Sequence, residues 1–255
     1  MRVILNGACG RMGKAVIEAV SDTELEIVCG IDCRTDCGDF GIPMCSSLSE
    51  VDLEADVLID FSHHSAINDI AAFVRRTGMP CVIATTGHTE SEKAVLLALA
   101  SDYPVFYSRN MSLGINLLIG LCVDAVKRLG GDCDIEIIEK HHRNKLDAPS
   151  GTALMIAESI SDAMPDYCGT VCDRTARSMV RPKGEIGISS VRCGGIFGEH
   201  EVLISRGGET VSIKHTAESR TLFAEGAVSA ARFIASCAPG LYTMQELLSS
   251  VAEVN

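Results

Sequence analysis

The densest run of reactive side chains in the sequence is EKHHRNKLDAPSGT, at residues 139–152. His141 and His142 stand side by side, and a histidine can exchange a proton near neutral pH. Lys145 follows them, and its ammonium group can polarise an imine or a carboxylate. The run therefore predicts proton transfer involving a small molecule.

The end of this run, PSGT, has the composition of a helix start. Ser150 or Thr152 can cap the helix, and the hydroxyls together with the N–H groups around Gly151 form an anion pocket at the positive end of the helix dipole. A helix cap beside a basic surface loop would explain Ser150 and Gly151, but it would not explain the group of donors upstream. We therefore predict a carboxylate substrate, with His141 or His142 as the proton carrier.

A second pattern, GACGRMG, occupies residues 7–13. From the alanine onward it fits G-x-G-x-x-G with Ala in place of the first Gly. Gly10 would let the backbone approach a pyrophosphate, and Gly13 would let helix and strand pack closely. Asp32 ends the next predicted strand, where an acid that binds ribose belongs. An ordinary tight turn followed by a surface aspartate is the alternative interpretation.

The same residues bear on the choice of cofactor. Asp32 can accept hydrogen bonds from the ribose hydroxyls of NADH and would repel the 2′-phosphate of NADPH. Arg11 and Arg34 lie close enough in sequence to offset that repulsion. The sequence therefore predicts NADH or NADPH without deciding between them.

Two further loops are predicted at the carboxyl edge of the same sheet, residues 61–64 and 85–88. Ligands bind along that edge in open α/β sheets. Backbone groups of these loops, above all at Gly87, are therefore candidates to hold ribose and nicotinamide. The loop imidazoles are interpreted as solvated: His63, His64 and His88.

The glycine loop must lie between a strand and a helix, and the first hundred residues alternate such elements. Strands are predicted at residues 2–6, 26–32, 56–61, 80–86 and 105–108. Helices are predicted at residues 11–21, 65–78 and 90–101. Short apolar strands separated by helices imply right-handed βαβ units and a parallel sheet.

The pattern changes after about residue 112. Helices are predicted at 113–129 and 150–163, a strand at 134–140, and antiparallel strands at 186–191, 201–205 and 210–215. A last helix, 219–238, is predicted to return to the first lobe. The fold class is therefore α/β, a Rossmann-like parallel sheet lobe plus an inserted α+β lobe with a mixed or antiparallel sheet. We assign residues 1–112 and 221–255 to a dinucleotide-binding domain and residues 113–220 to a substrate-binding domain.

Composition excludes several classes of function. The 255 residues carry 22 Lys and Arg against 34 Asp and Glu, a net charge of −12. Such a chain repels nucleic acids and anionic membranes. The first residues turn to Gly and polar residues too early for a typical signal peptide, and no apolar run approaches about 20 residues, so a cytoplasmic location is expected. The 12 cysteines form no CxxC pair, and no metal site is predicted.

These motifs resemble the 4-hydroxy-tetrahydrodipicolinate reductase (dihydrodipicolinate reductase) family of diaminopimelate and lysine biosynthesis. The family pattern E-x-H-H-x-x-K-x-D-A-P-S-G-T-A is met from Glu139 to Ala153, and G-x-x-G-R-M-G from Gly7 to Gly13. The resemblance covers essentially the whole chain. Shorter matches are T-T-G at 85–87, S-x-G-x-N at 112–116, G-E-H at 198–200 and S-R-x-x-F-A-x-G-A at 219–227.

The resemblance implies that NADH or NADPH reduces a cyclic hydroxy-imine dicarboxylate to tetrahydrodipicolinate with loss of water. His141 would be the general acid that protonates the ring after hydride attack, and Lys145 would hydrogen-bond and polarise the substrate. The implied substrate-binding residues are His142, Ser150, Gly151, Thr152 and Arg220. The implied cofactor-binding residues are Gly7, Gly10, Arg11, Met12, Gly13, Asp32, Arg34, Phe61, Thr85, Thr86, Gly87, Arg109, Asn110 and Met111.

The sequence departs from the family at Cys33, where some members carry an acid. Asp32 is therefore the better candidate for the ribose contact. The family also implies a homotetramer formed through the sheet of the inserted lobe. Two alternatives stay open: another NAD(P)-dependent dehydrogenase of amino acids or semialdehydes, and a nucleotide-sensing protein without catalysis. A sensor would keep the glycine loop but would not need His141 and Lys145 beside an anion pocket.

Overall fold

The structure is a computed structural model, and it describes residues 1–21, 23–34, 38, 40–130, 132–164, 166–175 and 177–254. The helices are α1 (Arg11–Val20), α2 (Ile67–Thr77), α3 (Glu90–Ala100), α4 (Leu113–Leu129), α5 (Gly151–Ser161), α6 (Thr221–Ile234) and α7 (Met244–Val254). The strands are β1 (Arg2–Asn6), β2 (Glu26–Ile31), β3 (Met44–Cys45), β4 (Val57–Asp60), β5 (Cys81–Ile83), β6 (Pro104–Tyr107), β7 (Asp134–His141), β8 (Gly169–Val171), β9 (Glu185–Arg192), β10 (Gly198–Arg206), β11 (Glu209–Ala217) and β12 (Gly240–Tyr242).

The chain divides into two compact units. The first unit contains Met1–Leu113 and Arg220–Asn255, and the second contains Gly114–Ser219. In the first unit, the described residues form a sheet of order β12-β6-β5-β4-β1-β2-β3, whose neighbouring strands all run parallel. This arrangement confirms the predicted Rossmann-like parallel sheet.

Strand alternation gives this sheet an apolar core on each face. In β1, Val3 and Leu5 point to the face covered by α1, α6 and α7, whereas Ile4 points to the face covered by α2 and α3. Three consecutive buried apolar residues in β1 are expected for a strand of a parallel sheet that is covered on both faces. Small residues let α6 approach closely, since a Cβ at Gly226 would collide with the carbonyl oxygen of Met111.

In the second unit, the described strands form a sheet of order β11-β10-β7-β9-β8. Strand β10 is antiparallel to both β11 and β7, while β9 is parallel to β7 and to β8. Isoleucines on β7 and β9 pack with apolar residues of α4 and α5. The sheet is therefore mixed, and the predicted inserted α+β lobe is confirmed.

The order of the strands corrects one detail of the sequence prediction. Residues 186–191 were expected to join an antiparallel set, but β9 runs parallel to β7. The reason is the long connection through α5 and β8, because parallel neighbours need a crossover of about a dozen residues or more. The short strands β3, β8 and β12 and the helix α7 were not predicted. Among the described residues, none of the helices has the length and apolar character needed to cross a membrane.

Candidate active site

The predicted proton carrier lies at the end of β7, where strand alternation decides which side chains are buried. Ile135, Ile137, Glu139 and His141 share the buried face of the strand, since residues two apart point to the same side. The two isoleucines join the apolar core. The other two residues on this face, Glu139 and His141, are in contact. Nδ1 of His141 lies 2.6 Å from Oε2 of Glu139.

Glu139 is fully buried, and a buried carboxylate requires a cation or several hydrogen-bond donors. Arg192 makes a two-point contact: Nη1 donates to Oε2 at 2.8 Å, and Nη2 donates to Oε1 at 2.8 Å. The N–H of Ser150 donates to Oε1 at 3.2 Å. Burial raises the pKa of Glu139, but hydrogen bonds from Arg192, Ser190 and His141 outweigh it and lower the pKa to about 2. The carboxylate is therefore ionised at neutral pH.

His141 has a lowered pKa, chiefly because burial disfavours the imidazolium. Glu139 raises this pKa, and the charges of Lys145 and Arg192 lower it. Because Nδ1 faces the carboxylate, Nε2 is the nitrogen that can exchange a proton with a substrate. Gly198 borders this atom, and a Cβ in its place would lie 3.1 Å from Nε2. The glycine therefore leaves space beside the reactive nitrogen.

The predicted anion pocket lies at the start of α5. Ser150 is the N-cap residue, and its Oγ accepts a hydrogen bond from the N–H of Ala153 at 3.1 Å. Asp147 shows which donors a carboxylate meets there. Its carboxylate accepts from Nζ of Lys145 at 2.9 Å and from the N–H of Gly151. A substrate carboxylate at this helix N-terminus would use the same ammonium group and backbone donor.

His200 connects the proton carrier with the helix cap. Its ring lies 5.2 Å from the ring of His141 in an edge-to-face arrangement. Its Nε2 is 3.2 Å from Oγ of Ser150. Burial lowers the pKa of His200 to about 3, so its ring is neutral at physiological pH. His200 therefore supports both groups without adding charge.

The three remaining substrate-binding candidates are described by their burial and their place in the fold. His142 is half-buried, and its Nδ1 is enclosed without a hydrogen-bond partner among the described residues. Thr152 is the second residue of α5, at the predicted pocket. Arg220 is exposed and belongs to the first unit, at the N-cap of α6. Substrate contacts of these residues stay predictions.

The glycine loop connects β1 to α1 in the first unit, as its spacing predicted. Gly7 has a positive φ of 82°, a conformation that favours glycine. A Cβ at Gly13 would collide with the carbonyl oxygens of Gly7 and Ala8. Gly10 is the N-cap residue of α1 and has no side chain to cover the helix start. The backbone N–H groups of α1 therefore present an anion site that fits a pyrophosphate.

Asp32 is buried and tied to this loop. Its Oδ2 accepts from the N–H of Cys9 at 3.0 Å, and its Oδ1 accepts from the N–H of Arg34 at 3.0 Å. A cavity of about 470 Å³ opens here. The predicted cofactor residues that line it are Gly7, Gly10, Asp32, Arg34 and Phe61. The cavity and the glycine loop together fit a dinucleotide.

Asp60, at the end of β4, connects the end of β1 with two loops at the carboxyl edge of the sheet. Its Oδ1 accepts from Nδ2 of Asn6 at 2.8 Å and from Oγ of Ser62 at 2.6 Å. Its Oδ2 accepts from Oγ1 of Thr85 at 2.6 Å. Asp60 is fully buried, and burial raises its pKa while these hydrogen bonds oppose the shift. The loops predicted to hold the cofactor are therefore anchored to one carboxylate.

The loop histidines differ in their exposure. His63 is exposed, as predicted. His88 is buried, with its ring 5.6 Å from the ring of Tyr107, and Nδ1 of His64 lies 2.9 Å from Oε1 of Glu92. The expectation of solvated rings was therefore wrong for His64 and His88, because α3 and β6 supply partners that the loop sequence does not reveal.

The other predicted cofactor residues lie at or near the same edge of the sheet. Met111 is buried, and its side chain belongs to the core, so only its backbone is available to a ligand. Met12 also packs partly against this core. Asn110 is buried and its Oδ1 accepts from the N–H of Ser112 at 2.9 Å. The exposed members are Arg11, Thr86, Gly87 and Arg109.

Comparisons with known proteins identify the family. The family model for the N-terminus of dihydrodipicolinate reductase matches residues 1–111, and the model for its C-terminus matches residues 114–248. The chain belongs to the dihydrodipicolinate reductase family. The 4-hydroxy-tetrahydrodipicolinate reductase of Caldanaerobacter subterraneus subsp. tengcongensis is 46% identical over 97% of this chain and 98% of the relative. The enzyme of the same name from Clostridium novyi is 40% identical over 98% of each.

Solved structures show the same fold. The dipicolinate-bound dihydrodipicolinate reductase from Paenisporosarcina sp. TG-14 superposes with a TM-score of 0.80 at 23% identity, covering 95% of this chain and 97% of that one. An amine dehydrogenase from Mycobacterium smegmatis superposes with a TM-score of 0.65 at 12% identity, covering 96% and 95%. As a member of the dihydrodipicolinate reductase family, the chain is an oxidoreductase built on a Rossmann-type sheet.

Four residues that organise the site are absent from the site residues predicted for this dihydrodipicolinate reductase family member: Glu139, Arg192, His200 and Asp60. Arg192 is 53 residues from Glu139 along the chain, so no local motif contains both. His200 stands in the G-E-H match but was given no role. Asp60 ends β4, and Asp32 directly follows β2; this shared position at the carboxyl ends of strands was the signal that could have identified Asp60. Glu139, His200 and Asp60 each contact a predicted site residue, and Arg192 acts through Glu139.

Proposed function

We propose that the protein catalyses the reduction of 4-hydroxy-tetrahydrodipicolinate to tetrahydrodipicolinate, with loss of water, using NADH or NADPH. The proposed place of this step is diaminopimelate and lysine biosynthesis. Family membership supports the reaction class. The observation that carries the proposal is the buried pair of Glu139 and His141, set beside Lys145 and the start of α5. A protein that only senses a nucleotide has no use for that pair.

The first unit is the proposed dinucleotide-binding domain, comprising residues 1–112 and 221–255. Bound NADH or NADPH would supply the hydride. The glycine loop would hold the pyrophosphate at the start of α1, and Asp32 would accept hydrogen bonds from the ribose hydroxyls. Arg34 lies beside Asp32, with Nε 3.4 Å from Oδ1 and a side chain that is 62% exposed, so its positive charge lies near the position where a 2′-phosphate would bind. We therefore propose that both cofactors are used.

Residues 113–220 form the proposed substrate-binding domain. One carboxylate of the substrate would lie at the N-terminus of α5, held by the N–H groups of Gly151 and Thr152, the hydroxyl of Ser150 and the ammonium group of Lys145. The contacts of Asp147 with Lys145 and Gly151 support this assignment, because two of these four donor groups already bind a carboxylate of the protein itself.

His141 is the proposed general acid. Its Nδ1–H would donate to Glu139, and the proton on Nε2 would pass to the ring atom that becomes basic when the hydride arrives. The ionised carboxylate of Glu139 stabilises the imidazolium before transfer. It also holds the Nδ1–H tautomer after transfer. The neighbouring charge of Lys145 makes loss of the proton easier.

Two features of assembly and location belong to the same proposal. The inserted lobe would also mediate a homotetramer, since β11 is an edge strand of the second unit's sheet and exposed edges are commonly covered by pairing. Light scattering on the purified protein tests this. A cytoplasmic location follows from the proposed role in amino-acid biosynthesis.

The test measures oxidation of NADH or NADPH through the loss of absorbance of the reduced nicotinamide. The substrate is prepared immediately before use by condensing pyruvate with aspartate semialdehyde, because the proposal requires that unstable cyclic product. We expect turnover with NADH and with NADPH, and none when pyruvate or aspartate semialdehyde is added alone. Absence of turnover with both cofactors, from protein that binds NADH, would overturn the proposed reaction.

A further inference from the structure

We propose that Arg192 is a positioning residue for the proton transfer, acting through the buried carboxylate of Glu139 on His141. The inference rests on the proposed function, in which His141 is the general acid. It assigns a role to a residue on a different strand, outside the segment that carries the acid and the anion pocket.

The geometry of the ion pair fixes the plane of the carboxylate. Both terminal nitrogens of Arg192 donate to Glu139, one to each oxygen, at 2.8 Å. The guanidinium is rigid and planar, so a two-point contact sets orientation as well as distance. The side chain of Glu139 is completely buried and that of Arg192 is 18% exposed. Burial therefore shields the pair from the solvent that weakens exposed salt bridges.

Each oxygen of the fixed carboxylate has a second partner in the site. Oε2 faces Nδ1 of His141 at 2.6 Å, and Oε1 accepts from the N–H of Ser150 at 3.2 Å. A rotation of the carboxylate plane would break both contacts together. Arg192 is thus connected, through one side chain, to the proton carrier and to the cap of the helix that holds the anion.

The sheet explains why the arginine stands at this position. Strands β7 and β9 are parallel neighbours, and their register places His141 directly opposite Arg192. Nη2 of Arg192 also donates to the carbonyl oxygen of Asp147 at 2.5 Å, which ties the loop that carries Lys145. The arginine therefore contacts a strand end and a loop that belong to the same site.

The guanidinium also decides where a proton resides. While its charge is present, Glu139 stays ionised and an added proton goes to His141, which then has a proton on Nε2 to transfer. Without that charge, burial favours a neutral carboxyl group that keeps the proton and donates it to Nδ1. The imidazole would then be neutral and could not act as the acid.

Three variants separate positioning from a purely structural role. Arg192→Met removes both the charge and the two terminal nitrogens that donate to Glu139. Arg192→Lys keeps the charge but loses the two-point contact. Arg177→Met is the matched control, because Arg177 also pairs with a buried carboxylate of the same unit, Nη1 lying 3.0 Å from Glu185. Glu185 keeps a second ion pair, with Arg174, so the control should fold.

We expect Arg192→Met to lower kcat by about 100-fold, the lower end of what a general acid contributes. The KM for NADH should not change, and Arg192→Lys should recover part of the loss. Arg177→Met should keep the wild-type kcat. An Arg192→Met enzyme with wild-type kcat would overturn the proposal. So would a loss of activity that Arg177→Met shows equally.

Nuclear magnetic resonance of the imidazole protons tests the same inference without turnover. The short Nδ1–H···Oε2 bond of His141, identified by its absence in His141→Gln, should give a low-field proton signal in the wild type and in Arg177→Met. In protein labelled with nitrogen-15 this signal is split by the bond between the proton and Nδ1, and Arg192→Met should lose that splitting, because the proton then resides on the carboxyl oxygen. If the wild type shows no turnover but this pattern holds, the proposed reaction fails while the positioning role stands. A signal that keeps its nitrogen splitting in Arg192→Met would overturn that role.

Discussion

Nδ1 of His141 lies 2.6 Å from Oε2 of Glu139, and both side chains are buried on one face of β7. A carboxylate in this position holds one nitrogen of the imidazole and leaves the other for chemistry. The lowered pKa of His141, caused mainly by burial, makes the imidazolium a ready proton donor. The pair therefore explains why a histidine is buried at the end of a strand.

The first prediction concerns the acid itself. His141→Gln keeps a polar side chain of similar size but removes the transferable proton, so kcat should fall by about 100-fold or more. The dissociation constant for NADH should change little, because the glycine loop belongs to the other unit. Stopped-flow turnover and fluorescence titration of NADH measure the two quantities. A large loss of NADH binding would contradict the assignment of separate cofactor and substrate domains.

The pH dependence of the wild type follows from the same group. A general acid must be protonated, so kcat/KM should fall as pH rises above the pKa of His141. Burial lowers that pKa, and the fall should begin below the ordinary histidine value of about 6.5. The groups that face His141 are Glu139, Lys145, Arg192 and His200. A profile of kcat/KM against pH checks this, and His141→Gln should lack the descending limb.

Local patterns were sufficient to predict much of this fold. Alternating apolar residues predicted β7, and the spacing of glycines predicted the loop between β1 and α1. Both signals operate within a few residues, because strand alternation and turn geometry are local properties. Short strands such as β3 were missed because two residues contain no period.

The contacts that organise the site could not be predicted in the same way. Arg192 reaches Glu139 only because β9 pairs in parallel with β7, and this pairing depends on a crossover through α5. His88 was expected in solvent, but Tyr107 of β6 covers it. In each case the partner is supplied by a distant element, and its identity follows from topology and not from the neighbouring sequence.

A third prediction uses the acid-titration behaviour of Glu139. Its pKa falls from an ordinary 4.5 to about 2 in the folded protein. A carboxylate with a depressed pKa stabilises the fold fully above its unfolded pKa and loses that contribution as pH falls through the folded value. Glu139→Gln should therefore be less stable than the wild type at neutral pH. The difference should shrink between about pH 4.5 and pH 2.

Urea unfolding at a series of pH values measures this difference. Glu24→Gln is a suitable control, because Glu24 is exposed and its ion pair with Arg232 lies at the surface, where such pairs contribute little. A stability difference for Glu139→Gln that stays constant from neutral to acid pH would show that the carboxylate is not held in its charged form by Arg192.

The fourth prediction tests the proposed ribose contact. Asp32→Ala removes the carboxylate that would bind the hydroxyls of NADH, and it also removes the contacts with the N–H groups of Cys9 and Arg34. Loss of the loop contacts should weaken both cofactors alike. Loss of the ribose contact should raise the dissociation constant for NADH further. Loss of the repulsion between Asp32 and a 2′-phosphate should partly offset the weakening for NADPH, so NADH binding should weaken more than NADPH binding. The ratio of the two dissociation constants measures this, and an unchanged ratio would remove Asp32 from the ribose site.

The last prediction concerns Asp60, which holds the end of β1 and two loops without lining the cavity. In Asp60→Asn, the amide keeps one oxygen acceptor and turns an NH₂ group toward a donor from Asn6, Ser62 or Thr85. A buried hydrogen bond to a charged group contributes about 1.5–3 kcal/mol, so the free energy of unfolding should fall by about that amount. The loosened loops should also raise the dissociation constant for NADH several-fold, while kcat at saturating NADH changes less.

Asp56→Asn is the control for this variant. Asp56 immediately precedes β4, at the opposite end of the strand, is exposed, and accepts a hydrogen bond from the N–H of Arg2 at 2.6 Å. A change there should leave NADH binding untouched. Calorimetric titration with NADH measures the dissociation constants of the two variants. If Asp60→Asn binds NADH as tightly as Asp56→Asn, the loops do not depend on their shared carboxylate. Asp60 would then act only on stability, because the cofactor site would be organised by the glycine loop alone.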